Sequence, residues 1–71
     1  MQNDSHFYVM TVQKALRPGA TADYTQRGTL TPTQGATRDE VFEDIFRGIT
    51  GRYPELSGAS VLFFTLEPNR L

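Results

Sequence analysis

The sequence predicts an α+β domain in which a three-stranded antiparallel sheet, in strand order 2-1-3, carries one helix on one face. Three observations predict this fold. One segment has the period of an amphipathic helix, three segments are rich in β-branched and aromatic residues, and their order is strand, strand, helix, strand. The 71 residues leave room for a single domain, residues 1–71.

The first two strands are predicted over residues 6–13 and 24–31. The segment HFYVMTVQ is apolar on both faces, which indicates a central strand. A type II turn is predicted at Arg17-Pro18-Gly19-Ala20, within a longer loop between the strands. The second strand is half polar and rich in threonine, as is typical of an edge strand, and Gly28 inside it can mark a bulge.

The helix is predicted over residues 38–51, or as far as Tyr53, because Pro54 disfavours any longer helix. Thr37 and Glu40 have the spacing of a capping box, Glu43 and Arg47 are spaced for an i,i+4 ion pair, and Gly51 is expected just past the helix end. The apolar residues recur at positions that share one face of the helix: Val41, Phe42, Ile45, Phe46 and Ile49.

The third strand is predicted over residues 60–67, the most hydrophobic segment of the chain. A right-handed crossover makes it parallel to the second strand, so the first strand lies between them and every neighbouring pair is antiparallel. Alternation along the strands then places one set of side chains beneath the helix: Leu62, Phe64, Leu66, Tyr8, Met10, Val12 and Leu30.

The opposite face of the predicted sheet has no helix to cover it. It carries four large apolar residues, Phe7, Val9, Val61 and Phe63, which we take as the candidate interaction surface. The favoured interpretation is a homodimer that packs sheet to sheet. Edge-to-edge pairing through the second or third strand, cover by the termini, and exchange of the two faces remain open.

No catalytic or metal-binding set is visible in the sequence. The absence of cysteine excludes disulfides and thiolate sites, and the single histidine, His6, excludes a histidine cluster within one chain. No glycine-rich phosphate loop or serine-nucleophile motif occurs. The early helix carboxylates are those expected to match the helix dipole: Asp39, Glu40, Glu43 and Asp44. We therefore expect no metal, no cofactor and no enzyme, the alternative being a site shared across a dimer interface.

The balance of charge disfavours nucleic acid as a partner, because seven Lys and Arg face eight Asp and Glu. The alternative function is nevertheless single-stranded nucleic-acid binding on the open face, with bases stacked on Phe7 and Phe63 beside Lys14 and Arg27. The longest apolar run, Val61 to Phe64, is too short to span a membrane. Residues 1–5 are expected to be disordered and lack the features of a signal peptide, so a cytoplasmic location is expected.

Three segments, HFYVMTVQ, TRDEVFEDIF and VLFFTLEPNRL, carry a resemblance that covers most of the chain from His6 onward. The chain resembles small proteins of actinobacteria and their phages for which no function is established. The resemblance implies a complete intracellular domain and transfers no functional residue. The leading hypothesis is a small binding or regulatory accessory protein, a homodimer, that acts through contacts with a protein partner.

Overall fold

The computed structural model describes residues 5–71 and confirms the predicted ββαβ fold. The elements are β1 (His6–Arg17), β2 (Ala20–Leu30), α1 (Arg38–Arg52), a 3₁₀ helix (Pro54–Leu56) and β3 (Ser60–Pro68). The sheet has the order β2-β1-β3, with both pairs antiparallel. The disorder predicted for residues 1–5 lies outside the described residues except at Ser5, whose carbonyl accepts a hydrogen bond from the Asn69 N–H.

The hairpin formed by β1 and β2 is longer than the sequence predicted. Pairing continues to Arg17 and Ala20, so the loop shrinks to a tight turn in which Gly19 has a φ of +82°. This positive φ is the one that the third position of a type II turn requires. Because β3 begins opposite Gln13, the tip of the hairpin extends beyond the third strand.

Gly28 does not mark a bulge, contrary to the expectation. It pairs in regular register with Tyr8, and a Cβ at this position would lie 3.6 Å from the Tyr8 ring. The two register shifts of the sheet fall elsewhere, near Leu16 in β1 and near Leu62 in β3.

The helix begins as predicted, with Thr37 as its N-cap. The Glu40 N–H donates to the Thr37 hydroxyl at 3.1 Å, and the Thr37 N–H donates to the Glu40 carboxylate at 2.9 Å, which completes the capping box. The helix ends at Arg52 with Tyr53 as its C-cap, within the predicted range, and Gly51 lies inside the helix instead of just past its end. Arg47 contacts Asp44 at 3.3 Å instead of Glu43, in an exposed ion pair that contributes little to stability.

The core lies between α1 and the helix-facing side of the sheet. Its fully buried centre consists of Met10, Val12 and Ile49, each 0 % exposed. The 3₁₀ helix after α1 adds Leu56, which the sequence did not predict to be structured. The core residues are Tyr8, Met10, Val12, Val41, Ile45, Ile49 and Leu56, with Phe42, Phe46, Phe64 and Leu66 partly buried against them.

A bulge in β3 reverses the expected burial of Val61 and Leu62. Thr11 pairs with Phe63, and the next residue, Val12, pairs with Val61, so Leu62 is the extra residue. Val61 packs against the core, whereas Leu62 is 58 % exposed. The prediction that placed Leu62 beneath the helix and Val61 on the uncovered face was wrong, because strict alternation fails across a bulge.

Candidate interaction surfaces

The open face of the sheet, opposite α1, is covered by no element of residues 5–71. Its side chains come from alternate positions of each strand, and the register arranges them in rows across the sheet. From one end to the other the rows are Thr29–Phe7–Glu67, Arg27–Val9–Thr65, Thr25–Thr11–Phe63 and Asp23–Gln13–Ser60.

Three apolar residues form a diagonal across this face. Phe7 and Val9 are neighbours on β1, and Phe63 lies diagonally across from Val9, a separation of about 7–8 Å that an aromatic side chain spans. Phe7 is 40 % exposed and Phe63 is 53 % exposed. The structure thus brings together three of the four residues predicted for the surface, whereas Val61 packs against the core.

Polar side chains frame the apolar diagonal. The hydroxyls of Thr11 and Thr25 lie 2.9 Å apart, and the Gln13 amide donates to the Asp23 carboxylate at 2.9 Å. These cross-strand bonds hold the polar rim in fixed positions around a small apolar centre. An apolar centre with a polar rim is the usual anatomy of a protein–protein contact surface.

Lys14 and Arg27, the predicted nucleic-acid contacts, lie on opposite faces of the sheet. Lys14 shares the helix-facing side with Met10 and Val12, and its ammonium donates to the Ser57 carbonyl. Among the residues of the four rows on the open face, Arg27 is the single cation, and Asp23 and Glu67 are anions. Single strands bind along grooves of positive charge, and the described face has no such track.

The hydrogen-bond pattern shows which backbone groups point away from the sheet at each edge. The bond from Asn69 to the Ser5 carbonyl marks a hydrogen-bonded pair between β1 and β3, so odd-numbered residues of β1 bond to β3. Even-numbered residues of β1 therefore bond to β2. It follows that the backbone N–H and C=O groups that point away from the sheet belong to even-numbered residues near the end of β3 and to odd-numbered residues of β2.

The β3 edge is obstructed at its end. The guanidinium of Arg38 donates to the outward-pointing carbonyl of Leu66 at 3.1 Å and also lies over the Phe64 ring, 5.3 Å from its centroid. Pro68, at the next outward position, has no N–H to offer. A charged side chain and a proline are two of the devices that keep an edge strand from pairing with another chain.

The β2 edge has charged side chains at Asp23 and Arg27, but among the described residues neither of them bonds to an outward backbone group of the strand. Its 11 residues contain no proline, and every odd-numbered side chain from Thr21 to Thr29 is exposed. At the middle of the strand, on the helix side, Tyr24 packs against Tyr53 with ring centroids 4.8 Å apart. The neighbouring Tyr53 hydroxyl and partial burial raise the pKa of Tyr24 above its usual value.

His6 and the early helix carboxylates form no metal-binding cluster in the described part of the chain. Among residues 5–71 no group of three His, Cys, Asp or Glu side chains is placed to hold a metal ion. All four early helix carboxylates are exposed, and two of them make local contacts: Glu40 completes the cap and Asp44 pairs with Arg47. His6 lines a shallow groove with Arg38 and Pro68, at the junction of the helix start and the sheet.

Comparison with known protein families, with curated proteins and with solved structures finds no match to this chain. The resemblance to actinobacterial and phage proteins stays a prediction. Within residues 5–71 no helix has the length and apolar character needed to cross a membrane. The candidate surfaces therefore rest on their own geometry.

Proposed function

We propose that this chain is a small, non-enzymatic binding protein of the cytoplasm, a homodimer that acts through protein–protein contacts on the open face of its sheet. The observation that carries the proposal is the diagonal of Phe7, Val9 and Phe63 on a face that no described element covers. Burial of apolar surface drives most protein association, and aromatic side chains contribute more than most residues to such contacts.

The rim of the surface supports a protein partner more than a nucleic acid. One cation, Arg27, stands beside two anions in the paired rows, so the face offers no excess of positive charge. The threonine hydroxyls and the Gln13 amide supply hydrogen-bonding groups of both kinds, which suit a polar protein surface.

The proposal is tested by a pull-down, in which the immobilised protein retains binding partners from a lysate of its native cells. The immobilised wild type is compared with a double variant, Phe7→Ser/Phe63→Ser, and with Leu16→Ser as the matched control. Leu16 is 49 % exposed, similar to the two phenylalanines, but it lies near the hairpin tip. Proteins retained by the wild type and the control, and lost by the double variant, are the expected result.

Two results contradict the proposal. The first is equal retention of the same proteins by the double variant, which would place the contact elsewhere. The second is recovery of single-stranded nucleic acid in place of protein, with binding that falls steeply with salt and is lost in Arg27→Ala, which would establish the alternative function.

A further inference from the structure

The outward-facing residues of the β2 edge have opposite charges at positions symmetric about the middle of the strand. The odd-numbered positions, whose backbone groups point away from β1, are all exposed. Thr25 stands at the middle of the 11-residue strand, with Asp23 two residues before it and Arg27 two residues after it. The series from one end to the other is Thr21, Asp23, Thr25, Arg27 and Thr29.

This pattern fits a second copy of the same strand in antiparallel orientation. With a two-fold axis at Thr25, Asp23 of each copy lies opposite Arg27 of the other, and Thr21 lies opposite Thr29. The outward-pointing residues then form hydrogen-bonded pairs, each of which exchanges two backbone bonds, for about ten bonds in all. The same axis pairs Ala20 with Leu30, so the strand is used over its whole length.

The charges favour this register, which pairs Asp23 with Arg27 at both symmetric positions, over registers with an axis at Asp23 or at Arg27. An axis at Asp23 would place the two Asp23 carboxylates opposite each other, and an axis at Arg27 would do the same with two guanidinium groups. Like charges directly opposite on a sheet destabilise the pairing, whereas opposite charges stabilise it. Asp23 already accepts a bond from Gln13 at one oxygen, which leaves the other oxygen for a guanidinium.

We propose that two copies of this chain join through their β2 edges, about an axis at Thr25, into one continuous six-stranded sheet. The inference rests on the homodimer of the proposed function and names its interface. Because residues opposite each other in an antiparallel pair point to the same side, both helices lie on one side of the joined sheet. Both open faces lie on the other side, where the two diagonals of Phe7, Val9 and Phe63 stay available to a partner.

Charge reversal tests the interface through its mass and dissociation constant in sedimentation equilibrium. Asp23→Arg puts cations opposite cations at both symmetric positions, and Arg27→Asp puts anions opposite anions, so each variant should dimerise about 10- to 100-fold more weakly than the wild type. An equimolar mixture of the two variants restores opposite charges at every position. It should form heterodimers with an affinity within about threefold of the wild type.

Two controls separate this interface from other ways of pairing. Thr25→Pro removes an outward-pointing N–H that the β1–β2 ladder does not use, so the variant should keep its circular dichroism spectrum and lose the dimer. Gln13→Ala removes the partner of Asp23 without a change of charge and should leave the dimer intact.

The outcomes distinguish failure of the interface from failure of the proposed function. A dimer that survives both charge reversals but dissociates in Phe7→Ser/Phe63→Ser would overturn the edge interface and support sheet-to-sheet packing. A wild type that is monomeric at tens of micromolar would overturn the dimer altogether, while the retention experiment on the open face would still decide the partner. A mixture of the two reversed variants that stays monomeric would also overturn the inference.

Discussion

The bulge in β3 makes a prediction that strict alternation along the strand would reverse. Val61 packs against the core beside Val12, which is 0 % exposed, whereas Leu62 is 58 % exposed. Lysine at position 61 should therefore be costly and lysine at position 62 should be tolerated. If the strand alternated without a bulge, the two costs would be exchanged.

The size of the difference follows from burial. Complete burial of a valine contributes about 1.5–3 kcal/mol, and Val61 is partly buried, so its loss costs roughly 1 kcal/mol. An unpaired polar group held against the apolar core adds about 1–3 kcal/mol, which we take as the cost for a lysine that is only partly buried. We expect Val61→Lys to cost about 2–4 kcal/mol. Leu62→Lys should cost less than about 1 kcal/mol, because the lysine methylenes keep much of the contact that Leu62 makes.

Urea denaturation followed by circular dichroism measures both costs, at one fixed protein concentration so that association affects all variants equally. A chain of this length has a total stability of roughly 4–10 kcal/mol, so the loss at position 61 shifts the midpoint strongly. Val61→Ile serves as the conservative control. A Leu62→Lys variant that loses as much stability as Val61→Lys would falsify the bulged register.

Three further predictions concern the helix and its neighbours. Thr37→Ala should lower the free energy of unfolding by about 1 kcal/mol in urea denaturation, because it removes the cap acceptor of the Glu40 N–H. Ile49→Ala should lower the free energy of unfolding by about 2–5 kcal/mol, because Ile49 is 0 % exposed. Phe46→Ala should lower it by less than a fully buried ring does, a loss of about 3–5 kcal/mol, because Phe46 is only partly buried. Tyr24 should ionise at a higher pH than an ordinary tyrosine in an absorbance titration, and Tyr53→Phe should lower that pH. Its raised pKa stabilises the fold below the usual tyrosine pKa, and this contribution is lost as the pH rises through the folded-state pKa.

The helix and the strand order could be predicted because their signals are local and strong. The repeat from Val41 to Ile49 identifies one helical face, and the Thr37–Glu40 pair identifies its first residue. The end of the helix was harder to place, because Gly51 is compatible with both a helix interior and a residue past its end. Pro54 shows only where the helix cannot continue.

The hairpin tip and the bulge could not be predicted from these signals. The start of β2 alternates between small and polar residues and has no large apolar side chain. Hydrophobic periodicity identifies strands that are half buried, and little of the hairpin tip is covered by the core. The bulge depends on how β3 meets β1, and nothing in the run Val61 to Phe64 distinguishes a regular strand from a bulged one.

The residues of the candidate surface were predicted correctly wherever side chains alternate regularly between the two faces of the sheet. Phe7, Val9 and Phe63 lie together because none of them is beyond the bulge. The helix-facing position of Lys14 could have been predicted, because it has the same parity as Met10 and Val12 in β1. The contact between Arg38 and the Leu66 carbonyl could not, because it joins residues that only the tertiary fold brings together.

The difference between the two sheet edges limits the size of the edge-joined assembly proposed above. Pairing of β2 with β2 of a second copy consumes the open edge of both chains and leaves a β3 edge at each end of the joined sheet. At each of those ends the Arg38 guanidinium donates to the outward carbonyl of Leu66, and Pro68 has no N–H to donate. A further strand would therefore meet both obstructions. A pairing in which each copy presents the same edge to the other closes on itself after two copies. A chain with two open edges would instead add copies without limit, so the obstruction at β3 is what makes an edge-joined dimer compatible with a discrete particle.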